Sequence, residues 1–227
     1  MRKKILIRAP ILTRSGYGEH SRFVARSLRT REDIFDIYII PTNWGQTGWI
    51  AAAGEEKEWF DECIKRTVAY AQQGGKFDIS IQVSIPNEWD RLAPINIGVT
   101  AGIESTKVAP VWLERANMMD KVITISEHSK FGFTNTSYQG RNSETGKPMT
   151  LTCTAPVQIV HYPAKTFESL PDLELKLDYD FNYLAVAQQG PRKNIENTIK
   201  WFIEENIDQK VGLVVKTFIK NGSIVDR

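Results

Sequence analysis

PINIGVTAGIESTKVAPVWLERANMMDKVITISEHSKFGF, residues 94–133, reads as strand, loop, helix, strand, loop, helix with almost no slack. The apolar run 95–99 ends at the loop 100–106. Pro110 suits a first helical turn, where its missing N–H costs nothing. Val111, Trp112, Ala116 and Met119 follow at helical spacing, with Glu114 and Arg115 on the other side. Residues 121–125 form a second β-branched strand, and Ser126 stands as N-cap of a helix opening at Glu127. Strands that hand over to helix N-termini in this way leave a polar crevice at the carboxyl edge of a parallel sheet, where α/β proteins bind ligands.

The chain before this stretch repeats the pattern. Residues 4–9 read as a strand buried on both faces, because Ile5, Leu6 and Ile7 run without interruption. The loop 10–17 and Gly18 carry Ser15-Gly16-Tyr17-Gly18, and a helix over 19–28 follows with Phe23, Val24, Ser27 and Leu28 inward. A Gly-x-Gly turn lets backbone N–H groups approach an anionic or hydroxylated ligand, or it simply makes a tight turn. The spacing is short of the full dinucleotide fingerprint, and both readings stand. His20 lies one turn further on and is the histidine best placed for a site.

Residues 34–40 give the next strand. The loop 41–49 after it holds Trp44 and Trp49, whose faces either stack on a sugar or other flat acceptor or tuck under the loop. The helix over 55–73 has an acidic first turn that suits its dipole. One side of it carries Trp59, Phe60, Cys63, Ile64, Val68 and Ala71, and Gly74-Gly75 stops it. A strand over 77–83 and an exit loop over 86–89 complete the approach to residue 94. Alternating strands and helices indicate βαβ units and a parallel sheet.

Beyond Phe133 the pattern loosens. Residues 137–148 are polar and read as a surface loop, 157–160 as a strand, and 164–180 as a charged linker. A second domain opens with a strand over 183–187, a loop over 188–194, a helix over 194–206 with Ile195, Ile199, Phe202 and Ile203 inward, and a strand over 211–215. The expected division is 1–163, linker 164–180, and 181–227.

A net charge of +2 gives nucleic-acid binding no support, since no basic stripe is present. Cys63 and Cys153 lie far apart outside any CxxC spacing, which suits burial in a reducing compartment. The three histidines, His20, His128 and His161, have no metal-ligand spacing with Asp, Glu or Cys, so no metal is expected. No stretch approaches the roughly 18 apolar residues of a membrane helix, and the apolar run at the N-terminus is too short for a signal peptide. The expectation is a cytoplasmic protein without an integral membrane segment.

Three stretches carry a family resemblance. Glu104-Ser105, then Pro110-Val111-Trp112, then an apolar strand ending in Ser126 resembles the retaining, metal-independent glycosyltransferases of the GT-B fold, in the glycosyltransferase family 4 group. The Gly16-Tyr17-Gly18 loop resembles the family's glycine loop beside the donor phosphates and the acceptor. The turn Gly190-Pro191-Arg192-Lys193-Asn194 resembles its donor-domain loop, where a positive pair holds the diphosphate.

The resemblance implies a Rossmann-like parallel sheet with helices on both faces as an acceptor-side domain. An incomplete second Rossmann-like domain would then hold a nucleotide-sugar, which is a substrate, with no cofactor. Lys193 falls where the family has its lysine. The preceding arginine is replaced by Gln188 or Gln189, leaving Arg192 as the nearest substitute. The family's E-x7-E carboxylates would fall beyond Arg227, which leaves room for a homo-oligomer or a completing chain.

Glu104 is the nearest ionisable residue in the loop where the family often carries a histidine, and it either orients an acceptor or caps a helix. The implied activity is transfer of a sugar from a nucleotide-sugar to a carbohydrate, lipid or other acceptor, in carbohydrate biosynthesis. Site candidates are Glu104 as catalytic, then Gly16, Tyr17, Gly18, His20, Trp44, Thr100 and Ser126 for substrate, with Arg192 and Lys193 for the donor diphosphate. The alternatives are an inactive sugar- or nucleotide-binding module and a nucleotide-sugar epimerase.

Overall fold

The computed structural model describes residues 2–45, 47–50, 53–141, 146–164, 166, 169 and 172–218. The chain divides into two compact units, Met1–Ala164 and Lys165–Arg227. The first is an α/β unit around a parallel sheet. Its strands are β1 (Lys3–Ala9), β2 (Phe35–Pro41), β3 (Ile79–Val83), β4 (Ile95–Thr100), β5 (Lys121–Thr124) and β8 (Val157–Ile159). They lie in the order β2-β1-β3-β4-β5-β8, with every neighbouring pair parallel. The chain steps outward from β1 to β2, then returns past β1 to β3. The order therefore reverses between β1 and β3, and that switch point is where an open α/β sheet presents its ligand crevice.

Period-2 alternation sorts the strand residues onto two faces. Ile5, Ile7, Ile37, Ile39, Ile81, Val83 and Val99 share one core, with Ala25 of α1 (Gly16–Arg29) and Trp59, Phe60 and Cys63 of α2 (Glu55–Gln72). Val122 belongs to a second core on the other face, with Trp89 and with Leu113 and Ala116 of α3 (Pro110–Ala116). Helices thus flank the sheet on both sides, as the alternating pattern requires.

α2 also closes an edge. The Thr67 hydroxyl accepts from the Ile39 N–H at 2.7 Å, and Arg66 Nη2 donates to the Ile37 carbonyl at 2.6 Å. These two side chains satisfy backbone groups of β2 that no further strand pairs, which blunts the edge. Thr67→Val is expected to destabilise the protein by about 1–3 kcal/mol, because it leaves a buried N–H without an acceptor. Thr67→Ser should recover most of that loss in urea unfolding.

Several expectations need correction. Residues 137–148 are not simply a loop, because β6 (Ser137–Arg141) and β7 (Pro148–Thr152) pair as an antiparallel hairpin. Its side chains are mostly exposed, so no burial alternation marked it in the sequence. The inward face of α1 is likewise rotated from the expected one. His20, Ser21, Arg22 and Ala25 are buried, whereas Phe23, Val24 and Leu28 are half-buried and Ser27 is exposed. Small residues at 21 and 25 let the helix lie close on the sheet. Similar offsets appear elsewhere: Thr67 is buried in α2 while Val68 and Ala71 are exposed, and Val111 of α3 is exposed.

The second unit is described by β9 (Phe181–Gln188), α5 (Ile195–Asn206) and β10 (Val211–Phe218), a parallel βαβ pair. Ile195 is buried there, while Ile199 and Ile203, both expected inward, are exposed.

Candidate functional site

The carboxyl end of β1 leads into a loop built to hold one shape. Thr13 Oγ1 donates to the Pro10 carbonyl at 2.8 Å, and its oxygen lies 2.7 Å from Ser15 Oγ. Ser15 caps α1 by accepting from the Gly18 N–H at 2.9 Å. The buried Arg22 guanidinium donates to the carbonyls of Ile11 at 2.7 Å and Thr13 at 3.0 Å, and pairs with Glu19 at 2.9 Å. The glycine turn is therefore the first turn of a helix that begins at Gly16, three residues earlier than the pattern predicts.

The two glycines do different things. A Cβ on Gly18 would collide with the Thr13 carbonyl and hydroxyl, whereas one on Gly16 would meet nothing within 4 Å. Gly18 permits the loop to pack on the helix. Gly16 leaves open space at the helix N-terminus.

The loop after β2 folds over this turn. Arg14 N–H donates to the Gly48 carbonyl at 2.8 Å and Ile50 N–H to Leu12 at 2.7 Å. Trp44 consequently stacks on Tyr17, with ring centres 4.1 Å apart and planes 29° from parallel. One face of Trp44 is thus tucked against Tyr17, and its ring is half-buried overall, so part of it remains available to stack on a ring such as a sugar. Trp49 is exposed and pairs its backbone with Thr13.

Tyr17 reaches across to β4. Its hydroxyl lies 2.9 Å from Thr100 Oγ1 and accepts from the Ala101 N–H at 3.1 Å. Burial pushes the Tyr17 phenol above its ordinary pKa, against the opposing pull of Thr100 and Ala101, so it stays protonated at neutral pH. Thr100 itself is fully buried beneath it. Tyr17→Phe is expected to cost about 1–2 kcal/mol, since the Ala101 N–H and the Thr100 hydroxyl lose their shared partner. Chemical unfolding compared with the parent protein checks this.

On the far side of that loop stands α4 (Glu127–Thr134), capped as expected: Ser126 Oγ accepts from the Ser129 N–H at 3.1 Å. Ser129 Oγ donates to the Ala101 carbonyl at 2.8 Å. Gly102 sits between at φ +82°, a left-handed backbone close to Ser129 that a side chain would strain. The β4 loop is thereby clamped between the first turns of α1 and α4. Gly16, Tyr17, Thr100 and Ser126 come together at one edge of the sheet, with Trp44 above.

Glu104 is exposed, and its charge, with that of Glu88, acts on Tyr17. Glu88 was not signalled by the sequence. It ends a single helical turn, Pro86–Glu88, beyond the carboxyl end of β3, so only the strand order brings it to the same edge.

His20 is buried, with its ring centre 6.2 Å from that of Tyr17. Its ring stacks edge-on to Tyr162 at 4.8 Å between centres, and Nδ1 lies 3.3 Å from the Tyr162 hydroxyl. Burial alone lowers its pKa from 6.5 to about 4, so it is neutral at physiological pH and offers a ligand no positive charge. His161 Nδ1 lies 2.9 Å from the Ile125 carbonyl.

In the second unit Arg192 and Lys193 sit exposed on a turn that Asn194 closes at φ 52°. Gln189, Gly190, Asn194 and Glu196 help line a hollow of about 300 Å³ there. Among the described residues no group of three or more His, Cys, Asp or Glu could hold a metal ion, and no helix is long and apolar enough to cross a membrane. No protein-family model, curated protein or solved structure matches the chain.

Proposed function

We propose that the first unit is the acceptor-side domain of a glycosyltransferase that takes a sugar from a nucleotide-sugar, with retention and without a metal. The observation that carries this reading is the arrangement of side chains at the β1–β3 switch point. There the open Gly16, the rigid Ser15 cap and the half-buried Trp44 border one edge of the sheet. A helix N-terminus beside an aromatic face suits a hydroxylated ligand with a phosphate nearby. In this reading Glu104 orients the acceptor hydroxyl; the second unit, taken by itself, offers Arg192 and Lys193 to the diphosphate of a nucleotide-sugar.

The test is to incubate the protein with UDP-, GDP- and ADP-sugars and a panel of sugar acceptors, following free nucleoside diphosphate. Release that depends on both substrates supports transfer. Saturable binding without release replaces the reading with an inactive binding module. Absence of both removes it.

A further inference from the structure

Between α1 and the sheet lies a second feature that the crevice does not use, a cavity of about 450 Å³. Ile81, Ile97 and Ile123 of β3, β4 and β5 form its floor, and Phe23, Val24 and Leu28 of α1 form its wall. Among the described residues no Asp, Glu, Lys or Arg lines it. Apart from Ser27, its polar side chains gather where His20 meets Tyr162, and His161 anchors that segment to the Ile125 carbonyl. His20 lies one turn along the helix from Gly16, with its ring centre 6.2 Å from that of Tyr17. The polar end therefore adjoins the carboxyl-edge crevice, and the apolar part runs away from it beneath α1.

The size decides what fits. A small molecule of a few hundred Å³ is the right scale, and an apolar cavity of this kind prefers an apolar guest to water.

We propose that this cavity holds a single alkyl or isoprenoid chain, so that the ligand is an amphiphile whose hydroxylated head lies at the crevice. Calling that amphiphile the sugar acceptor rests on the transferase reading above. The chain enters past His20 and Tyr162 and packs on Ile97 and Ile123, with Phe23 and Leu28 over it.

The experiment is a titration with methyl, hexyl, octyl and decyl glucosides, kept below micelle-forming concentrations and read by ¹³C-methyl spectra of isoleucine. Shifts at Ile81, Ile97 and Ile123 are expected with the longer chains and not with methyl glucoside. Affinity should tighten roughly tenfold for each two carbons added, the gain from burying two methylenes. Val24→Trp, which fills the cavity, should abolish the dependence on chain length, and its melting curve shows whether it folds. Affinity indifferent to chain length overturns the proposal. So do shifts scattered over exposed isoleucines outside the cavity, such as Ile34 and Ile103, the mark of a detergent coating the surface. Chain-length-dependent binding without nucleoside diphosphate release from any donor keeps the tail site and removes the transferase. Release with a water-soluble acceptor, indifferent to alkyl chains, does the reverse.

Discussion

Gly18→Val is expected to melt well below the parent protein, with a loss of about 3 kcal/mol, while Gly16→Val melts within about 0.5 kcal/mol of it. Both glycines fall in the first turn of α1, and their sequence context is nearly the same. What separates them is the neighbour each faces. A side chain at 18 is driven into the Thr13 carbonyl, and Thr13 cannot yield freely. It is fully buried, its N–H donates to Pro10, and its carbonyl accepts from Arg22.

Moving that loop breaks the guanidinium contacts to Ile11 and Thr13 and strands a buried charge against Glu19 alone. At 16 a valine has open space and no left-handed backbone to strain it. Its effect should appear only in binding, because it fills the room a ligand would use beside the helix N-terminus. Thermal unfolding followed by circular dichroism separates the stability effects. Nucleotide-sugar titration of Gly16→Val then tests the crevice without the ambiguity of a damaged fold. Unchanged affinity there takes the glycine turn out of the site.

The sequence shows where the strands of the first unit lie because most of them are continuous apolar runs, and it shows α2 because its aromatic stripe repeats at helical spacing. It does not show which strands become neighbours. The position of β2 at the edge, and hence the roles of Arg66 and Thr67, depends on chain order in space. Residues 80, 82 and 96 illustrate the same limit. Ser80, Gln82 and Asn96 are polar in otherwise apolar strands, yet all three are buried. Ser80 donates to Asn96 at 2.8 Å, Gln82 to the Asp90 carbonyl at 2.6 Å, and Asn96 accepts from the Leu92 and Ala93 N–H groups. Ser80 and Asn96 meet across β3 and β4, and the other partners come from the loop between those strands, so no periodicity in either strand reveals them.

The candidate site divides in the same way. The Ser126 cap and the glycine turn are local signals, and each could be read from neighbouring residues. Glu88 reaches the edge through strand order. Tyr162 meets His20 from 142 residues away, so nothing near either residue announces the contact. The α1 face expected inward was chosen for its apolar content, and the structure gives that content another setting. Phe23, Val24, Ser27 and Leu28 line the cavity, while smaller residues make the close approach to the sheet.

Stability of the first unit is expected to fall as pH drops from 6.5 toward 4, by about 2 kcal/mol at pH 5 and about 3 kcal/mol at pH 4, through His20 alone. The sign follows from the direction of its shift. His20 binds a proton with a pKa of about 4 in the folded protein, against 6.5 as an ordinary histidine. Between those values the unfolded chain carries the proton and the native protein does not, so acid favours unfolding. Above pH 6.5 both states are neutral and the contribution is flat.

The cause is burial, with no compensating carboxylate among the described residues. His20 is 5 % exposed, and the rings around it are those of Tyr17 and Tyr162. Aspartates and glutamates elsewhere also titrate in acid, so the parent curve alone does not isolate the effect. His20→Leu supplies the reference, since it removes the titrating group and keeps an apolar side chain beside the cavity. At pH 7.5 the variant should be no more stable than the parent, having lost the Tyr162 hydrogen bond. By pH 5 it should have gained about 2 kcal/mol relative to the parent in urea unfolding. Parallel pH profiles for the two proteins would mean that the ring takes up its proton in the folded state at an ordinary pH. The apolar surround of His20 would then be more open to water than its packing against Tyr162 implies.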